Sequence, residues 1–152
     1  MNKGLPDSLK EAFLDIIPKD RPTIFNSLHL NKLALGWLAG FTSAEGSFMI
    51  RVLNSPNHKL NKKIQLEFNL SQHVRDEILM RAIANYFQAG SVSINRNASI
   101  FRVVNFSELT EIILPIFINY PIQGIKYFDY LYFLRAAEII KYKKRACVGF
   151  AY

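Results

Sequence analysis

The chain has 152 residues, half of them hydrophobic, and its 19 lysines and arginines against 12 aspartates and glutamates give a formal net charge of +7. That is enough apolar material for one domain with a real core and too much for a disordered chain. A single cysteine, Cys147, excludes a disulfide framework and a cysteine-rich zinc site, while the positive balance points to an anionic partner, with plain solubility as the ordinary alternative.

The opening residues, MNKGLPDSLKEAF, lack the apolar stretch of a signal peptide and carry acids that a transit peptide avoids. The apolar runs LALGWLAGF and IILPIFI are too short to span a bilayer, so no membrane role is expected. The richness in Ile, Asn, Lys, Phe and Tyr is what AT-rich codons supply, which fits a gene in a mitochondrial or other organelle genome.

In chain order, Ser8 with Glu11 has the pattern of a capping box, opening a short helix through LKEAFLDII. PKDRPTIFNSLHL, with two prolines, reads as a linker or arm. Asn31 is a candidate N-cap for the helix NKLALGWLAGFTS, in which Gly36, Gly40 and Ala44 recur every fourth position and share one ridge. After Gly46 the period changes to two. Phe48, Ile50 and Val52 alternate with Ser47, Met49 and Arg51, as in a half-buried strand.

SPNHKLN is a turn. In KKIQLEFNLSQ the alternation puts Ile64, Leu66, Phe68 and Leu70 inward and Lys63, Gln65, Glu67, Asn69 and Ser71 outward. RDEILMRAIANYF has helical spacing, with Gly90 placed to stop it. SVSIN and SIFRVVN flank the turn RNA and make a hairpin. Ser107 is a candidate cap for ELTEIILPIF, which Pro115 should kink or end. The last helix spans KYFDYLYFLRAAEIIKYKK, its aromatic density reading as core packing. The basic run Lys141, Lys143, Lys144 and Arg145 reads first as a solvated helix end and second as a phosphate contact.

This order predicts an α+β fold, one antiparallel four-stranded sheet with helices packed on one face. The other face would carry Ser47, Met49, Arg51, Lys63, Gln65, Asn69, Ser93, Asn95 and Arg102. Such a polar, weakly basic surface suits plain solvation and base-edge reading in a major groove equally well.

The glycine ridge needs a reason, since each Gly in a helix interior costs about 1 kcal/mol relative to Ala. A smooth ridge lets another helix approach backbone to backbone, which sets the helix ends, and Glu45, beside their counterparts. Two such carboxylates repel unless a divalent cation holds them. The plainer alternative is a tightly packed helix ending in a solvated acid.

Residues 37–48, WLAGFTSAEGSF, resemble the signature of the LAGLIDADG homing endonucleases, with Glu45 at the second acidic position and Ser43 where the first acid usually stands. LSQH at 70–73 is similar to the family's strand-end element and PIQGIKYFDY at 121–130 to its Gly-x-Lys approach to the late helix, so the resemblance covers roughly residues 30–142.

It implies a saddle-shaped sheet in the DNA major groove and two halves paired through the signature helices by Gly36, Gly40 and Ala44. Each half gives one acid, here Glu45, as metal ligand and catalytic residue to a Mg²⁺-dependent double-strand cut. Lys126 would stand beside the scissile phosphate, and Gln72 would orient a water. Gln72 shares the parity of its strand's buried row, so that role requires a twist or bulge at the strand end.

Base contacts would fall on Arg51, Lys63, Gln65, Asn69 and Arg102. Glu67 on the same face is awkward against phosphate, though it could accept from cytosine N4.

One signature makes half a site, so the chain is expected to homodimerise, to pair with a separate first-half chain or to be part of something longer. The opening segment resembles the connector of two-motif members, which gives an N-terminal helix and arm over 1–29, one domain over 30–145 and a tail over 146–152. Because the family includes maturases, the alternative is a non-catalytic protein binding structured RNA, as a maturase or a ribonucleoprotein or mitoribosome component. A pure protein-interaction module is the third option, and it would bind without salt dependence.

Overall fold

In the computed structural model, which describes residues 7–14, 32–56 and 60–148, helix α2 (Lys32–Glu45) runs into strand β1 (Gly46–Asn54) with no residue between them. A Cβ on Gly46 would lie 2.4 Å from Thr42 Cγ2 and 2.6 Å from the Thr42 carbonyl oxygen. Only glycine permits so abrupt a passage from helix to strand, and the last helical residue, Glu45, is thereby fixed at the sheet's edge. Asn31, the proline-containing arm and residues 149–152 lie outside the described residues, as do the side chains of Lys144 and Arg145.

A short α1 (Asp7–Ala12) precedes this unit. Strand β2 (Lys62–His73) returns antiparallel to β1, and a 3₁₀ turn (Val74–Asp76) leads to α3 (Glu77–Phe87). The hairpin of β3 (Ser91–Asn95) and β4 (Ala98–Val103) completes a four-stranded antiparallel sheet in the order β1-β2-β4-β3. Helix α4 (Phe106–Glu108), a π-helical turn (Leu109–Ile113), α5 (Leu114–Asn119) and the long α6 (Lys126–Val148) follow.

The helices cover one face of the sheet around an aromatic centre. The Phe48 ring centre lies 5.2 Å from that of Phe68, tilted, and 5.4 Å from that of Phe133, edge-on, while Phe117 lies 5.8 Å from both Phe68 and Tyr130. Both Tyr130 and Phe133 of α6 are buried there; Phe128, Tyr132 and Tyr142 on the same helix are exposed, so its aromatic density is only partly core.

Several boundaries differ from expectation for local reasons. Ser8 lies inside α1 rather than capping it. The cap of α4 is Asn105, whose Oδ1 accepts from the Ser107 backbone N–H at 3.0 Å, so Ser107 is the capped residue. Gln88, in a left-handed conformation, ends α3, and Gly90 serves instead where a Cβ would lie 2.5 Å from the Arg102 carbonyl.

Pro115 neither ends nor breaks the helical run. It falls directly after the π-helical turn, the kind of local distortion that accommodates a proline ring and its missing N–H inside a helical run. Ile50, Val52 and Ile64 have inward parity but lie beyond the cover of the helices, Val52 being 65% exposed.

Candidate nucleic-acid interface and catalytic corner

The corner is built where α2 meets the sheet. Gly46 pairs with Leu70, so Ser71, Gln72 and His73 extend past the start of β1 and pair only with β4. The space that β1 would have filled holds the end of α2. There Glu45 and Gln72 line one open cleft of about 740 Å³ together with Phe41, Arg75 and Asp76. Pairing along β2 is continuous through Gln72↔Ser99 and His73↔Ala98, so Gln72 reaches the cleft from the buried row without the expected twist or bulge. The early start of β1 does that work.

Lys126, the first residue of α6, donates from Nζ to the Ala44 carbonyl, one residue before Glu45. A lysine at a helix N-terminus gains nothing from its own helix dipole. At the C-terminus of α2 it meets carbonyls with negative partial charge and is stabilised by them. Ser43, standing at the usual first acidic position, donates from Oγ to the Ala39 carbonyl at 2.8 Å and accepts from the Gln123 backbone N–H at 3.0 Å. It fastens the loop that delivers Lys126.

Asp76, Gly46 and Gln123 all belong to this corner, and sequence reading missed them. The helix-to-strand change with no turn residues between was the signal available for Gly46.

On the sheet's uncovered face, Arg51, Lys63, Ser93, Asn95 and Arg102 are exposed, and Ser47, Met49 and Gln65 are half-buried. Asn69 differs, being 8% exposed, so it supports the surface from below rather than reaching out of it. Its Nδ2 donates to Glu67 Oε1 at 2.9 Å. Glu67 has outward parity yet is 2% exposed, because its neighbours close over it. Arg51 Nε lies 2.9 Å from Oε2, and Arg51 Nη2 and Arg102 Nε each lie 3.1 Å from Oε1. The acid is therefore the buried hub of the basic surface, out of reach of a base edge.

The ridge of α2 is open. Among the described residues, Gly40, Ala44 and Glu45 are exposed, a Cβ on Gly40 would meet nothing within 4 Å, and one on Gly36 would meet only Tyr120 Cδ1 at 3.7 Å. Trp37 and Phe41 stack at 5.0 Å along the same stretch of helix.

A family model described as LAGLIDADG endonuclease matches residues 38–137. The chain is 40% identical over 134 residues to probable intron-encoded endonuclease 3 of Neurospora crassa, covering 86% of this chain and 24% of that protein. Among solved structures it is similar to the I-SmaMI LAGLIDADG homing endonuclease bound to cleaved DNA, with 35% identity and a TM-score of 0.75, covering 95% of this chain and 48% of that one. A further I-SmaMI structure holds uncleaved DNA in the presence of calcium ions.

The LAGLIDADG meganuclease I-CpaMI bound to uncleaved DNA is 37% identical with a TM-score of 0.72, over 94% of this chain and 50% of that one. This chain thus spans about half the length of these solved chains and about a quarter of the curated relative.

Proposed function

Because the chain belongs to the LAGLIDADG endonuclease family, we propose that it is one half of a site-specific, Mg²⁺-dependent endonuclease that cuts double-stranded DNA. The observation that carries this reading is the corner: Glu45 at the end of an open small-residue ridge, Gln72 in the same cleft and Lys126 bound one residue away. The DNA-bound neighbours are about twice the length of this chain, which fits a second half supplied by a second copy, by a separate first-half chain or by further residues of a longer chain.

Magnesium takes oxygen ligands, and Glu45 offers an exposed carboxylate of that kind. Among the described residues no group of three or more acids, histidines or cysteines gathers, so one chain supplies only a share of the ligands and fits a site completed by its partner. When bound, the metal activates water and offsets charge building on the phosphate. Lys126 adds a fixed positive charge beside it, and the Gln72 amide can donate to or accept from a water in the cleft.

The domain of residues 30–145 carries this site, with 1–29 as connecting arm and 146–152 as tail. A relative named as intron-encoded, and an amino-acid composition that AT-rich codons would supply, support a mitochondrial or other organelle location.

The test compares wild type with Glu45→Gln on duplex carrying a target with its intron absent. Wild type should cut both strands only with Mg²⁺, and the variant should bind equally but not cut. Equal cutting by the variant would refute the assignment of Glu45. Purified protein that carries RNA and never cuts duplex would favour the RNA-binding alternative.

A further inference from the structure

Glu67 is the only acid in the four strands, and it lies on the face that the proposed function turns toward DNA. A carboxylate there repels phosphate, so its presence needs a compensating use. It is buried under two arginines that are themselves 45% and 44% exposed. Arg51 gives it Nε and Nη2, the inner edge of the guanidinium fork; Arg102 gives it Nε. Asn69 holds the same carboxylate from below. Arg51 is thus fixed in plane through its Nε side, with Nη2 also meeting Met49 Sδ at 3.8 Å, a weak contact that a base acceptor can replace, while Arg102 is anchored at Nε; the outer Nη edges of both forks are the ones that can turn to the groove. A planar fork held that way matches the paired O6 and N7 acceptors of guanine.

We propose that Glu67 is a positioning residue that sets Arg51 and Arg102 as a linked pair of guanine readers. Both arginines meet the same Oε1 at 3.1 Å, so those nitrogens are no more than about 6 Å apart, on the order of two base-pair steps of ~3.4 Å. The outer Nη edges that read the bases lie farther out than these nitrogens, so the two guanines fall within about three base-pair steps of each other. Glu67 also cancels one of the two positive charges, which shifts this patch from gripping phosphate toward selecting bases.

This inference rests on the DNA-binding reading, and one experiment separates the two. The purified 152-residue chain is used to select from a randomised duplex library, and binding to the selected and to a scrambled duplex is then measured over a range of salt. Wild type should select two guanines within about three steps, each preferred over adenine by about tenfold or more.

Glu67→Gln should bind the scrambled duplex as tightly or more tightly, with a steeper salt dependence, while the guanine preference falls to a few-fold. Arg51→Lys and Arg102→Lys keep their charge and should each lose one guanine with the salt slope unchanged. These two variants, at half-exposed positions, decide the matter if Glu67→Gln fails to fold. Undiminished guanine preference in the lysine variants, or in a folded Glu67→Gln, would overturn the proposal. So would selection of no paired guanines. Duplex binding insensitive to salt in wild type would instead remove the DNA-binding reading, and the inference with it.

Discussion

Lys126 separates a catalytic from a structural role by magnitude. Its bond to the Ala44 carbonyl satisfies the end of α2, an interaction worth about 0.3–1 kcal/mol at an accessible helix terminus. Lys126→Met should therefore lower stability by less than about 1 kcal/mol in denaturant titration, yet reduce cleavage by about a hundredfold if its charge acts on the phosphate. A variant that cuts normally would leave Lys126 as a helix clamp alone.

Gly46 makes the opposite demand, because a methyl there meets the Thr42 backbone, not a side chain that can swing away. Gly46→Ala should cost about 1–3 kcal/mol and displace Glu45 together with the strand start, which denaturant melts read as a lower midpoint. At this scale the sequence was legible in the small-residue spacing that leaves Gly40 and Ala44 exposed on α2, with Glu45 at the helix end. It was not legible at Glu67, whose alternation gave the face correctly but could not show that Arg51 and Arg102, distant in the chain, would close over it.

Elements were read more reliably than their ends. Alternation placed β1 and β2, since one covered face imposes a period of two on the sequence that forms them, and the turn RNA placed the hairpin of β3 and β4. Caps were missed where two hydroxyl or amide candidates lay close together. Asn105 and Ser107 both suit an N-cap, and only the path of the backbone selects the first. Asn105→Ala should cost about 1 kcal/mol, whereas Ser107→Ala, whose side chain does not cap, should fall within ~0.5 kcal/mol of wild type.

Burial along a strand was also beyond alternation, because Ile50 and Val52 face the helical side past the point where helices reach.

Helix α6 offers a pH test of its packing. Burial, with Tyr127 adding to it, raises the Tyr130 hydroxyl above its ordinary value of 10.0, and that hydroxyl donates to the Leu114 carbonyl. The neutral form is the one the fold favours. This contribution is intact below about pH 10 and is lost as pH rises through the folded value. Tyr130→Phe should flatten the decline of stability measured above about pH 10, while lowering stability at neutral pH through the unpaired carbonyl.

At the level of the whole molecule, the open ridge of α2 and the single acid at its end bear on the same question. A helix that keeps two interior glycines gives up about 1 kcal/mol at each relative to alanine, and among the described residues nothing touches the space above Gly40 to repay it. Close helix–helix approach across an interface does. Gly40→Leu isolates that contribution, because the added side chain has room in the single chain and improves helix propensity.

The variant chain should melt no lower than wild type, while the native mass of the assembly falls from a paired to a single species and association weakens by at least about tenfold, or ~1.4 kcal/mol. Cleavage should disappear with the pairing even though Glu45, Gln72 and Lys126 are untouched. An assembly of unchanged mass would show that the halves meet elsewhere, leaving Glu45 without a counterpart at the end of its helix.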